Sequence, residues 1–282
     1  MSINNDNFSS TDGYDIDLRQ EDVSGGKITI EQIDTIKQYP EAKSIIISGL
    51  EQKTFDYFIN KYGKQFQAIS FWKNKGVKDL SLLSELEQIE YITYFYNQKA
   101  TKLWNMSNNK TLKGLELDDF TKLHSVDEIK DAPALEVFNI GNAVWDKMQI
   151  ESIKPVALST VTSFSWYGDK VLDSDYSCLA NGHIKKLDIS PRYFTLDELA
   201  QLVSLFPENL VGTIVKPYYE GTVKDIDGNE TAFYFLCKGK RKLTKGIDDE
   251  KFHKYLDEFN ALLKSYRKIR IPIFSGKGYR KF

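Results

Sequence analysis

The chain has 282 residues, 41% of them hydrophobic, with 38 Lys and Arg against 40 Asp and Glu for a formal charge of −2. That length and apolar content support a sizeable core without disulfide or metal staples, which excludes a small disulfide scaffold. The near-neutral total argues against a chain that binds nucleic acid throughout, or one that is an acidic disordered tail.

Residues 1–41 are expected to be a disordered start followed by an amino-terminal cap. Met1 to Gln20 lacks both a basic n-region and an apolar h-region, so no secretory signal is read there, and the polar run Met1 to Gly13 reads as disordered. Asp15 to Arg19 alternates polar and apolar residues, as a strand covering the first unit of a larger array would. Thr29 is placed to N-cap a helix over Ile30 to Gln38, with Gln32 as the capping-box partner and Pro40 as the stop.

From residue 42 to 215 one frame recurs, apolar at its first, fourth and sixth places. It reads Ala42/Ile45/Ile47, Phe66/Ile69/Phe71, Ile89/Ile92/Tyr94, Leu112/Leu115/Leu117, Leu135/Phe138/Ile140, Val161/Phe164/Trp166, Ile184/Leu187/Ile189 and, weakly, Leu210/Thr213/Val215. Of these 24 places only Thr213 is polar, where chance filling at this composition gives about ten apolar ones. Between frames a second apolar cluster recurs, for example Phe55, Phe58 and Ile59, Leu80, Leu83 and Leu86, Leu103 and Met106, or Leu199, Leu202 and Leu205. Each unit is therefore predicted to be a short strand followed by a helix or helical turn. Neither element buries its apolar face alone, so neighbouring units stack and share a core.

Leu112-Lys-Gly-Leu-Glu-Leu117 and Ile184-Lys-Lys-Leu-Asp-Ile189 follow the pattern L-x-x-L-x-L, and in this the chain resembles the leucine-rich repeat family. The resemblance covers residues 42–215 and implies an α/β leucine-rich repeat solenoid, a horseshoe of about eight units of roughly 23 residues whose parallel strands line a concave face. The family's turn asparagine, three places after the last framed residue, is matched only by Asn74 and Asn97. An irregular horseshoe is the expectation.

Residues 216–282 break the period and are read as a carboxyl-terminal hairpin-plus-helix cap with a basic tail. A strand-like stretch from Thr222 to Ile226, the turn pair Asp227-Gly228 and the run Ala232 to Cys237 predict a hairpin. Phe252, Tyr255, Leu256, Phe259, Leu262, Leu263 and Tyr266 follow helical spacing from Asp248 to Lys268, with acidic residues in the first turn. The run Ala232 to Cys237 is also the longest apolar stretch and is too short to span a bilayer; a soluble, cytoplasmic protein with no membrane partner is expected.

Residues that carry chemistry are sparse. His124, His183 and His253 have no metal-ligand spacing, Cys178 and Cys237 stand apart as two reduced core thiols, and four Gly-Lys pairs lack the rest of a phosphate loop. No cofactor, metal or catalytic residue is assigned. The repeat offers a surface instead, on the order of 34 Å across eight strands. The residues alternating with the framed ones include Trp72, Tyr91 and Phe95, an expected exposed aromatic cluster, next to Glu116 and Asp118, with Tyr167 and Asp188 further along. Aromatic anchors beside carboxylates suit a protein or peptide partner bearing apolar and basic groups.

Charge is polarised along the chain: from Lys238 onward there are 14 Lys and Arg against 5 Asp and Glu, a net of +9, while residues 1–237 carry 24 against 35, a net of −11. The cluster Lys238, Lys240, Arg241 and Lys242 keeps a second reading open, in which this region binds nucleic acid or another anionic partner. An immunity-type inhibitor of a toxin, and an enzyme whose activity lies in residues 216–282, are the remaining alternatives.

Overall fold

The computed structural model describes residues 3–144 and 147–270. It is a mixed α/β structure whose main feature is an eight-stranded sheet. In chain order the strands of this sheet are β1 (Ile16–Leu18), β2 (Ser44–Ser48), β3 (Ala68–Trp72), β4 (Tyr91–Asn97), β5 (Gly114–Phe120), β6 (Val137–Gly141), β8 (Ser163–Tyr167) and β10 (Lys186–Ile189). Two short strands, β7 (Gln149–Ile150) and β9 (Lys170–Val171), pair with each other beside it. The chain divides into two compact units, residues 1–186 and 187–282.

In the first unit every strand pairing is parallel, and the pairings from β2 to β8 in the large sheet are in register with the sequence frame. The fourth framed place runs Ile45, Ile69, Ile92, Leu115, Phe138, Phe164 across six strands, and the sixth runs Ile47, Phe71, Tyr94, Leu117, Ile140, Trp166. All twelve side chains are at most 1% exposed. A one-residue slip would turn both rows to the other face of the sheet, so this apolar pattern fixes the register. The architecture, a repeated strand and connector on a parallel sheet, is compatible with a solenoid.

The connectors bury the second set of apolar residues. Helix α1 (Ile30–Ile33) carries the predicted Thr29/Gln32 capping box, but the helix continues over Asp34–Gln38 as a tighter 3₁₀ segment instead of as α-helix. Helix α2 (Gln52–Tyr62) turns Phe55 and Phe58 onto Phe71, with ring centroids 5.5 and 6.3 Å apart. Later connectors shorten to 3₁₀ turns at Ser81–Glu85, Asp127–Asp131 and Ser177–Asn181, and to α3 (Lys154–Ala157). Between β4 and β5 the predicted helical turn is absent. There Leu103, Trp104 and Met106 are buried from an irregular segment that Asn109 holds, its amide donating to the Leu83 and Leu86 carbonyls and its oxygen accepting the Trp104 indole N–H.

Beside the end of each of β2 to β5 one residue lies in the left-handed region: Gly49 and Lys73 just after their strands, Tyr96 and Asp119 one place before the end of theirs, with φ of 76°, 54°, 66° and 53°. Only the first demands glycine for space as well as conformation, because a Cβ there would sit 2.9 Å from the Gly25 carbonyl oxygen and the Ile28 amide nitrogen.

Two expectations are corrected. The eighth frame, Leu210/Thr213/Val215, is no strand. Thr213–Val215 is a 3₁₀ turn preceded by Gly212 at φ 118°, a conformation that ends extended pairing. The eighth strand of the sheet is instead β1, which pairs with β2 through Ile16↔Ile45 and Leu18↔Ile47. The stretch expected to be disordered is, over its described residues 3–13, placed against the sheet, as described below.

In the second unit, α4 (Leu196–Ser204) starts at a Thr195/Glu198 capping box. The predicted hairpin is β11 (Tyr218–Lys224) and β12 (Glu230–Leu236), extended by β13 (Leu243–Thr244). The predicted helix is α5 (Asp249–Arg270). Phe252 of α5 lies flat on Tyr234, centroids 3.7 Å apart, and edge-on to Tyr218. The Tyr255 hydroxyl donates to the Pro217 carbonyl and accepts the Cys237 N–H. Residues 271–282, the basic tail of the sequence reading, lie outside the described residues. No helix among the described residues is long and apolar enough to cross a membrane.

Candidate functional site

Because side chains alternate along a strand, burying the framed residues forces the intervening ones onto the opposite, second face of the sheet. Strand register then arranges them in rows. One row reads Ala68, Tyr91, Gly114, Val137; the next Ser70, Thr93, Glu116, Asn139; the third Trp72, Phe95, Asp118, Gly141, Tyr167. Six of the seven predicted surface residues thus fall within three adjacent rows of one face. The seventh, Asp188, belongs to the second unit, where its carboxylate accepts the Thr213 N–H at 2.8 Å.

The aromatic cluster is less open than predicted. Trp72 is partly buried and packs at a tilt against Phe95, 4.5 Å between centroids, while Phe95 and Tyr91 are only 8% and 7% exposed. The cover over Tyr91 is the segment at residues 3–14. Phe8 is 2% exposed, packs on Ala68 and Tyr91 with Ile3, Tyr14 and Val137 around it, and lies 5.4 Å from the Tyr91 ring centroid. The hydroxyl of Ser9 donates to Glu116. The amide of Asn5 donates to Glu136 at 2.8 Å and accepts the Tyr91 hydroxyl at 3.1 Å. The composition of residues 1–13 hid this, although the isolated Phe8 and Tyr14 in a polar run were the available signal.

Past Ser9 and Thr11 a cavity of about 150 Å³ remains, walled by Trp72 and Phe95 on one side and by Glu116 and Asp118 on another. Tyr167 reaches Asp118 from two strands away, its hydroxyl donating to Oδ1 at 2.6 Å. Gly141 permits that reach, since a Cβ there would come within 2.5 Å of the Tyr167 ring. Asn139 donates to Glu116 at 2.9 Å. No ion pair joins either carboxylate to a cation among the described residues. Withdrawal from water, followed by the nearby Glu116 charge, pushes the Asp118 carboxyl up to about 7, against the lowering effect of the Tyr167 hydrogen bond. Tyr167 is itself raised, first by desolvation of its hydroxyl end and then by Asp118.

This has a consequence for stability. The folded Asp118 carboxyl holds its proton to higher pH than an unfolded one, so folding takes up a proton between about pH 4 and 7 and stability falls as pH rises through that window. Urea unfolding at pH 5 and pH 8 is expected to show the wild-type chain more stable at pH 5 by about 2–3 kcal/mol. Asp118→Asn removes most of that difference; an unchanged pH dependence in the variant would assign it elsewhere.

The basic cluster is exposed at Lys238, Lys240, Arg241 and Lys242, with the Lys242 ammonium 3.6 Å above the centre of the Phe233 ring. His124 and His253 face the backbone carbonyls of Gln149 and Asp249, and both cysteines are buried thiols. Among the described residues no group of three or more His, Cys, Asp or Glu side chains is arranged to hold a metal ion. Alternation along the strands puts Asn139 and Gly141 on this face but gives no sign of their roles, Asn139 as a donor to Glu116 and Gly141 as room for Tyr167; sequence reasoning missed Asp119, whose buried carboxylate accepts the Ala143 and Val144 N–H groups at 2.9 Å each. Comparison of the chain with protein-family models and with curated proteins gives no match.

Proposed function

We propose that the chain is a non-catalytic binding module of the leucine-rich repeat kind, and that it recognises a protein or peptide partner through the second face of its parallel sheet. The observation that carries this reading is the cavity in which the Trp72–Phe95 wall stands beside the Glu116 carboxylate and the Asp118 carboxyl, whose proton an incoming cation displaces, with no cation among the described residues paired to either. An ammonium or guanidinium group from a partner satisfies both halves at once, by charge and by lying against the rings. The polypeptide segment already seated on the same face supports a peptide as the kind of object it holds.

The test is affinity capture with three versions of the chain side by side: wild type, Trp72→Ala/Phe95→Ala, and Glu116→Gln/Asp118→Asn, each checked for fold by circular dichroism. A protein recovered by the wild type and reduced at least tenfold with both variants is expected, and its capture weakens as salt rises. Equal recovery by all three would sink the reading. Recovery of nucleic acid alone, released by salt, transfers the function to the exposed basic cluster at Lys238 to Lys242.

A further inference from the structure

Phe8 occupies a cleft that the sheet itself provides. In the row Ala68, Tyr91, Gly114, Val137 strand β5 contributes no side chain, and a Cβ on Gly114 would stand 2.8 Å from the Tyr91 ring and 3.1 Å from that of Phe8. The missing side chain leaves an aromatic-sized gap with Tyr91 as one wall and Val137 as the other. Next to it, Glu116 and Asn139 offer an acceptor and a donor, and both reach Ser9. The cleft therefore reads two consecutive side chains, a ring and then a hydroxyl.

How the segment is attached matters as much as where. Its turns close on themselves, with the Phe8 N–H on the Asn4 carbonyl and the Ser10 N–H on the Asn7 carbonyl, and the Asn4 and Asp6 amides are met by Asn7 and Asn4 side chains. It is no strand of the sheet; the Phe8 ring, the packing of Ile3 and Tyr14 beside it and a few side-chain hydrogen bonds hold it there. Lifting it away breaks no strand pairing of the sheet.

We propose that the cleft over Gly114 between Tyr91 and Val137 is a binding site for an aromatic side chain, held in cis by Phe8, and that a partner segment presenting an aromatic residue followed by a hydroxyl residue takes it in trans. This rests on the reading of the second face as a recognition surface and names the chemistry that surface accepts. A segment tethered this closely faces its site at an effective concentration of about a millimolar or more. If the same peptide in trans binds with a dissociation constant near 100 µM, the attached copy weakens a competing partner roughly tenfold or more.

The probe is a labelled synthetic peptide of residues 3–14, titrated by fluorescence anisotropy against the full chain in its wild-type, Phe8→Glu and Phe8→Ala forms. Both substituted chains are expected to bind it at least tenfold more tightly than wild type. Adding Gly114→Val to the Phe8→Ala chain abolishes binding, and a peptide carrying Phe8→Ala binds none of them. If the Phe8 variants keep a cooperative unfolding transition and still ignore the peptide, the site does not exist. If both variants lose that transition, Phe8 is part of the core and the proposal also falls. The outcome is separable from the capture experiment, which depends on Glu116 and Asp118 and can succeed while the peptide fails to bind.

Discussion

Truncating Phe71 to alanine lowers the unfolding free energy by about 3–5 kcal/mol. Phe71 sits in the sixth-place ladder at 0% exposure, and its ring meets those of Phe55, Phe58 and Tyr94 at 5.5, 6.3 and 5.1 Å. Two of those partners come from α2 and the third from the neighbouring strand β4, so the ring joins a connector to the sheet. Removing it loses the burial of the ring and opens a cavity that three rigid aromatic neighbours cannot refill, because their own backbones are fixed by helix and ladder hydrogen bonds. Urea denaturation of the purified chain, with midpoint and slope fitted together, gives the number. A loss below about 1 kcal/mol would mean that α2 collapses onto the sheet, at variance with the packing described.

The same residue shows why so much of the fold was legible. Phe71 is one of a set of apolar residues at a spacing that a strand satisfies and a helix does not, and the set repeats at an interval too regular for chance. Strand positions, parallel pairing and register follow from that set, and six of the framed strands plus β1 lie where the spacing places them in the first unit. The connectors were less legible, since a few apolar residues specify burial but not the winding of the backbone. Leu103 and Met106 are buried from an irregular segment while Phe55 and Phe58 are buried from a helix. The eighth frame failed at Gly212, whose backbone conformation carries no hydropathy signal.

Alternation along the strands was enough to bring Trp72, Phe95, Glu116, Asp118 and Tyr167 to one face. It could not reveal what covers that face. Phe8, Ser9 and Asn5 reach the sheet from across 60 to 131 residues of chain, in a segment whose polar composition is that of a solvated tail. Its order depends on a gap at Gly114 and on acceptors at Glu116 and Glu136, so it becomes visible only when strand register has set those positions side by side.

Asn74→Ala lowers stability by about 2–4 kcal/mol, a large loss for a side chain that contributes no apolar surface. Asn74 is fully buried, its amide donates to the Ile47 carbonyl at 2.9 Å and its oxygen accepts the Leu50 N–H at 2.7 Å. Both partners are themselves buried, so alanine leaves a backbone donor and a backbone acceptor without replacement, and each bears its own desolvation penalty. Two turns on, a similar task falls to Asp119, whose carboxylate accepts from donors, among them the N–H groups of Ala143 and Val144. The chemistry is therefore not interchangeable. Asn74→Asp places a carboxylate oxygen against a carbonyl and is expected to cost at least as much as alanine, whereas Asp119→Asn presents an amide NH₂ to an N–H and costs about 1–3 kcal/mol. Urea unfolding of the three variants decides the matter. If Asn74→Asp proves milder than Asn74→Ala, the donor half of the amide is not needed, and the turn is held by the Leu50 contact alone.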